Sequence, residues 1–391
     1  MKPKIAIACQ GGGSQTAFTA GVLHGLFEEG IQEDFEVVSL SGTSGGAVCA
    51  ALVWYAIKRG ELPVWKRLLA FWNDNTPLTA DEQFFNNWVV QWIRAINSGM
   101  WPSLQLSPGS QIVRTMMGYF SIGKRRAFLD FAELLKSQID FDEIASWGPQ
   151  PEAPVLVMGA ANVLSGNLRK FISSKEFIRV EHIMASCAVP NLFPAVQIGK
   201  DAYWDGLFSD NPPIDELIRA SYVGRENIAE EIWLIKINPT TSRSIPVQPD
   251  DIFDRRNQLE GNIALFHQLV HLEQINDLIL GDAFKPEFLS GLGIDRPVLI
   301  PKSFHDDVDK PYHIPCIEMS RELQVKLDYE SKIDRSSKNL DPLIEDGRRQ
   351  ARKFLKARAA VVRHAASKLI GPAETRGPAL RGLEGGHAVA D

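Results

Sequence analysis

Within the first 60 residues, two glycine-rich turns each end an apolar run and open onto a helical pattern. Lys4–Cys9 reads as a buried strand, and Gly11-Gly12-Gly13 breaks it. Ala17–Glu29 then places Phe18, Val22 and Leu26 at helical spacing and stops at Gly30. Phe35–Leu40 reads as a second strand, followed by another glycine-rich turn and a helix from about Gly45 to Lys58. Two successive β-turn-α units predict a parallel sheet covered by helices. A right-handed crossover sets both turns at the C-terminal edge of that sheet, where open α/β sheets bind ligands.

Strand signals return at Pro154–Ala161, Leu168–Ser173, Ala195–Ile198, Ile232–Ile237 and Pro297–Pro301. Asp254–Leu280 reads as one long helix with Gly261 as its weak point. Residues 60–150 read as largely helical and hold Trp65, Trp72, Trp88, Trp92 and Trp101, with Met116, Met117 and Phe120 after them. Two readings of that stretch stand side by side: a lid or acyl pocket over the second turn, or a second small core packed on the sheet.

At 45% apolar and 23% charged, the 391 residues exclude a disordered or fibrous chain. The net charge of −6 gives no reason to expect nucleic-acid binding. Cys9, Cys49, Cys187 and Cys316 form no CxxC pair, which excludes a disulfide scaffold and a Cys-based zinc finger and fits a reducing compartment. The apolar stretch after Met1-Lys2-Pro3-Lys4 is too short for a signal segment, and Ala47 to Ile57 is too short for a membrane span. The expectation is a cytoplasmic protein. Its charge is unevenly placed: residues 347–370 carry eight basic side chains and no acidic one, which leaves residues 1–346 at −13. The last segment, 371–391, is rich in Gly, Pro and Ala without apolar periodicity and is expected to be disordered.

The chemistry-bearing pattern is Gly42-Thr43-Ser44-Gly45-Gly46, a G-x-S-x-G match between a predicted strand and a predicted helix. A nucleophilic serine has to project from a sharp, strained strand-to-helix turn, and Gly42 and Gly46 allow the strand and helix to pass closely. At the N-terminus of the following helix, negative charge on an attacked carbonyl is favoured. The plain alternative is a tight Gly/Ser turn without chemistry. Gly11-Gly12-Gly13-Ser14 lets backbone N–H groups converge on an anion. No G-K-[ST] follows, and Thr16 breaks the G-x-G-x-x-G pattern, so an oxyanion hole facing Ser44 is the better reading than a phosphate loop. Asp205-Gly206, taken alone, reads as a turn.

Taken together, these motifs resemble the patatin-like phospholipase family over about residues 3–215. The matching features are Gly11-Gly12-Gly13, Gly42-Thr43-Ser44-Gly45-Gly46, the stretch Ala185 to Val196, Asp205-Gly206 and Asn211-Pro212-Pro213. The resemblance implies a three-layer α/β/α fold with a mostly parallel central sheet, carried by residues 1–340. It also implies a Ser44–Asp205 dyad in which Asp205 takes the Ser44 proton directly, and oxyanion-hole amides from Gly11, Gly12 and Gly13. The substrate would be a lipid or other acyl ester, cleaved through an acyl-enzyme without metal or cofactor. The chain departs from the family pattern at Gln15, where many members carry a basic residue, and at Leu207, where many have Gly or Ala.

Two other functions remain open on the residues. A Ser–His–Asp esterase on small soluble esters would draw its histidine from His267, His271, His305, His313, His364 or His387. His267 and His271 are also spaced as an i,i+4 metal pair, but without the Glu of H-E-x-x-H. A non-catalytic lipid-binding module would use the Gly11–Gly13 turn and the C-terminal basic helix. That helix, residues 341–370, places Phe354, Leu355, Val361, Val362, Ala365 and Leu369 on one arc, with Arg358 intruding. Its basic face suits either peripheral contact with an anionic membrane or packing of the apolar arc on the acidic body.

Overall fold

A computed structural model describes residues 2–100, 123–190, 192–208, 210–242, 244–292, 300–301 and 312–369. Its frame is β1 (Lys4–Cys9), α1 (Ala17–Glu28), β2 (Glu36–Gly42) and α2 (Gly45–Lys58). After these come α3 (Lys66–Asn75), α4 (Ala80–Asn97), α5 (Phe131–Gln138), β3 (Val155–Asn162), β4 (Leu168–Ile172) and α6 (Val180–Ser186). The chain continues with β5 (Val196–Ile198), β6 (Asp201–Asp205), β7 (Glu231–Lys236), α7 (Pro249–Leu280), β8 (Ile300–Pro301), β9 (Tyr312–His313), β10 (Cys316–Glu318) and α8 (Ser337–Leu369).

The central sheet runs β10-β7-β1-β2-β3-β6-β5, with β4 also paired to β3. β10, β7, β1, β2 and β3 are mutually parallel, whereas β4, β6 and β5 extend the sheet antiparallel. Ile5–Cys9 is buried on both faces, as a central parallel strand must be. Ile5, Ile7 and Cys9 pack in the layer that contains α1, α2, α3 and α8, while Ala6 and Ala8 pack against Leu217, Leu265 and Leu272 on the other side. The result is a three-layer α/β/α fold with a mostly parallel sheet.

Register places the motifs. Cys9 lies opposite Gly42, so both glycine-rich turns leave the same edge. Gly42 lies opposite Met158, and Asp205 lies opposite Ala160, two residues farther along β3. Asp205 therefore arrives at the edge from which Ser44 projects.

The long helix expected over Asp254–Leu280 runs unbroken through Gly261. Other expectations are corrected. Helices α3 and α5 do not form a second small core: Leu68, Phe71, Trp72, Leu134 and Leu135 belong to the main one. Trp101, Met116, Met117 and Phe120, on which much of the lid reading rested, lie outside the described residues, as do residues 297–299 of the predicted fifth strand and the tail 371–391.

The predicted boundary between residues 340 and 341 falls inside α8. Leu340, Leu343, Ala351 and Phe354 are core residues of the body. The basic side chains of α8 find acidic partners there: Arg348 and Arg352 pair with Glu28, Arg352 also pairs with Glu29, and Arg358 pairs with Glu231. The apolar face of α8 is thus docked on the protein through Ala351, Phe354 and Leu355, while Lys353 and Lys356 on its basic face are exposed. Val361, Val362, Ala365 and Leu369 have side chains outside the described set. Among the described residues, no helix is long and apolar enough to cross a membrane.

Candidate active site

Ser44 forms the corner between β2 and α2 with φ 55° and ψ −134°, a backbone conformation L residues avoid. Holding it there costs on the order of 1–3 kcal/mol, which the surrounding packing must offset. The flanking glycines explain how. A Cβ at Gly46 would collide with the Cys9 carbonyl at the end of β1, and one at Gly42 would lie 2.6 Å from the Ala47 nitrogen. Close passage of strand and helix therefore requires glycine at both positions. Ser44 is 8% exposed. Its N–H donates to the Ser186 carbonyl at 3.1 Å and lies 3.2 Å from Ser186 Oγ.

Asp205 ends β6 fully buried. Its N–H donates to the Ala188 carbonyl at 2.9 Å. The Ser186–Ala188 segment, at the end of α6, thus grips both Ser44 and Asp205 through backbone groups. Asp205 Oδ1 accepts the Leu207 N–H at 2.8 Å. Burial pushes the carboxyl up to about 7, against the opposing pull of the Ser44 hydroxyl and the Leu207 N–H. The Ser44 hydroxyl is near enough to act on the carboxyl, yet Oδ2 closes no hydrogen bond of good geometry. The contact is therefore looser than a formed hydrogen bond, as catalytic contacts often are before substrate binds. Gly206 follows because a Cβ there would lie 2.5 Å from the Gly159 carbonyl oxygen.

The first glycine turn departs from expectation at one residue. The Gly11 N–H is not open to the edge; it donates to Asn211 Oδ1 at 2.6 Å. Gly12 and Gly13 are less buried, and Gly13 takes the positive φ of 57° that the turn needs. Among the described residues, no protein acceptor meets the N–H of Gly12, Gly13 or Gly45. Gly45, the first residue of α2, was not singled out from the sequence, although the residue after an elbow nucleophile commonly supplies an oxyanion donor. A Cβ at Gly45 would lie 2.9 Å from the Gly13 carbonyl, so the two turns touch.

Other sequence candidates lie elsewhere. His271 Nδ1 sits 2.8 Å from Asp215 Oδ2. His182, between Ser44 and Asp205 in the chain, is buried against Phe171, with its ring 4.2 Å away, and beside Arg179. Among the described residues, no histidine bonds Ser44 or Asp205, and no three His, Cys, Asp or Glu side chains converge as metal ligands. His305 and His387 lie outside those residues, as do the side chains of His313 and His364. Gln15 is buried, and its Nε2 donates to the Asp328 carbonyl at 3.1 Å and Ser331 Oγ at 2.7 Å, so it braces the turn against the 328–332 loop. All four cysteines are free thiols. One cavity of about 620 Å³ is lined by residues that include Arg169, Arg179, Asp201 and Tyr203, and Ser44 is not among them.

A family model described as Patatin-like phospholipase matches residues 7–218. No curated protein matches the chain as a relative. Among solved structures, VipD from Legionella pneumophila is similar at 12% identity and a TM-score of 0.35, with 91% of this chain and 67% of that one covered. The ExoU–SpcU complex from the type III secretion system of Pseudomonas aeruginosa is similar at 14% identity and a TM-score of 0.25. That match covers 66% of this chain and 49% of the other, about half its length.

Proposed function

Because the chain belongs to the patatin-like phospholipase family, we propose that it is a lipid acyl hydrolase in which Ser44 attacks the ester carbonyl and Asp205 is the base. The observation that carries this reading is the pairing of a serine held at φ 55° with a fully buried carboxyl beside it.

A serine hydroxyl is a weak nucleophile until a base takes its proton in the transition state. The Asp205 carboxyl lies within reach of that proton, while the Leu207 N–H holds Oδ1. The Ser44 Oγ–carbonyl carbon bond forms as the Ser44 proton passes to Asp205, and the carbonyl π pair moves onto the carbonyl oxygen, which becomes the oxyanion. The Gly12, Gly13 and Gly45 N–H groups are the proposed donors to it, in place of the Gly11 N–H. Losing one such donor typically costs about 3–4 kcal/mol in barrier. Asp205 then protonates the departing alkoxide, leaving an acyl-Ser44 ester. Water attacks that ester, gives its proton to Asp205, and releases the fatty acid with Ser44 restored. Every proton in this cycle is carried by one carboxyl.

A carboxyl raised to about 7 suits both halves of the cycle, since the best acid–base catalyst titrates near the working pH. The test is labelling of the purified protein by a fluorophosphonate, alongside release of fatty acid from a phospholipid panel. Loss of both in Ser44→Ala, with the fold intact, is the expected result. Labelling and turnover unchanged in Ser44→Ala would refute the assignment.

A further inference from the structure

Three glycines in a row are the most permissive backbone available. A preorganised oxyanion hole needs the opposite, donors that do not move. The turn must therefore be fixed from outside, and the Gly11 N–H shows by what. Asn211, fully buried, holds it through Oδ1 at 2.6 Å. Its Nδ2 donates to the Gly261 carbonyl of α7 at 3.2 Å. The Asn211 backbone carbonyl accepts Gln10 Nε2 at 3.4 Å. Gln10, also fully buried, accepts the Ile237 and Asn238 N–H groups at 2.8 and 2.9 Å on Oε1. The Asn211 amide is thus specified at both ends. Flipping it would set NH₂ against the Gly11 N–H and a carbonyl oxygen against that of Gly261. A Cβ built on Gly11 would lie 3.0 Å from Asn211 Oδ1 and 2.8 Å from Ser44 Cβ, so this lock sits directly behind the nucleophile.

We propose that Asn211 is a positioning residue for the ester hydrolysis. By holding the Gly11 N–H, it fixes the glycine turn so that the N–H groups after Gly11 meet the oxyanion. The inference rests on the reading of Ser44 as nucleophile. The charged groups around the lock are Asp205 on the preceding strand, Asp210 paired with Lys170, and Lys332, whose Nζ bonds Asn238 Oδ1 at 2.8 Å.

Asn211→Asp tests it without changing shape. A protonated carboxyl at 211 can accept from Gly11 and donate to Gly261; an ionised one can only accept. The ratio of kcat for Asn211→Asp to kcat for the unaltered protein should be within a few-fold of one in acid. It should fall by about 10–100-fold at alkaline pH, the loss expected for a misaligned donor. Asn211→Ala should lower kcat by about the same factor at every pH, with KM within about threefold, because oxyanion contacts form only in the transition state. Should Asn211→Ala fail to fold, the Asp variant still decides through its pH dependence. With Ser44→Ala inactive, a pH-independent ratio for Asn211→Asp overturns the role of Asn211 alone. Turnover retained by Ser44→Ala overturns the Ser44 reading, and this inference with it.

Discussion

Asp205→Asn should make the protein more stable and inactive at once, and the stability gain should depend on pH. Burial carries the Asp205 carboxyl from its ordinary 3.8 to about 7 in the folded chain. In the unfolded chain it ionises at the ordinary value. Below pH 3.8 both states hold the proton, and the residue costs nothing by this route. Between about 4 and 7 the unfolded state ionises while the folded state does not, so stability is lost as pH rises. Above about 7 the folded state ionises too, and the loss levels off at about 4 kcal/mol, at 1.36 kcal/mol per pKa unit. Asparagine removes the titration and keeps the shape. Urea unfolding of both proteins should show an advantage for Asp205→Asn that is about 2–3 kcal/mol larger at pH 8 than at pH 5. Ester cleavage should be lost at both pH values. An advantage that does not change with pH, or a variant less stable than the parent at pH 8, would refute the claim that burial sets this carboxyl.

The same titration predicts that kcat/KM for a soluble ester rises tenfold per pH unit below about 7 and is level above it, read from a pH–rate profile. Ser44→Gly should abolish cleavage yet stabilise the fold by about 1 kcal/mol in thermal unfolding, because glycine accepts φ 55° without strain, whereas Ser44→Ala should be inactive without that gain. Arg358→Ala should destabilise by about 3–5 kcal/mol in urea, since it leaves the buried Glu231 carboxylate without its cation.

The first four elements were legible because central parallel strands are continuous apolar runs and glycine ends them abruptly; the helix expected from Gly45 to Lys58 has those bounds. Strand β6 was harder to read. Its pairing to β3 covers Tyr203 to Asp205 only, and a five-residue strand ending in Asp-Gly looks like a turn until its antiparallel partner is known. Strand β10 has three residues and joins the sheet only because β7 offers a free edge. For α8, periodicity found the amphipathic face but left its partner open between a membrane and the acidic body. Arg358, which intruded on the apolar arc, is there because Glu231 lies buried opposite. Asn211 was visible as part of a motif, but its bond to Gly11 spans 200 residues, and no local pattern encodes that.

The proposed Ser44–Asp205 pair has no third side chain to orient the base, so something else must set the distance between the two residues. The backbone of Ser186–Ala188 does so: the Ser186 carbonyl takes the Ser44 N–H, and the Ala188 carbonyl takes the Asp205 N–H. One short segment thereby spaces the proposed nucleophile and base through main-chain carbonyls that no substitution removes. Side-chain changes in it should then be nearly silent. Ser186→Ala deletes one of two acceptors near the Ser44 N–H, at 3.2 Å, and leaves the carbonyl at 3.1 Å. A neutral hydrogen bond is worth about 1 kcal/mol net, and here the donor remains satisfied. Ester cleavage by Ser186→Ala should therefore stay within about fivefold of the unaltered protein. A loss beyond about a hundredfold, with the fold retained, would mean that the Ser186 hydroxyl belongs to the chemistry and that spacing by the backbone is the wrong account.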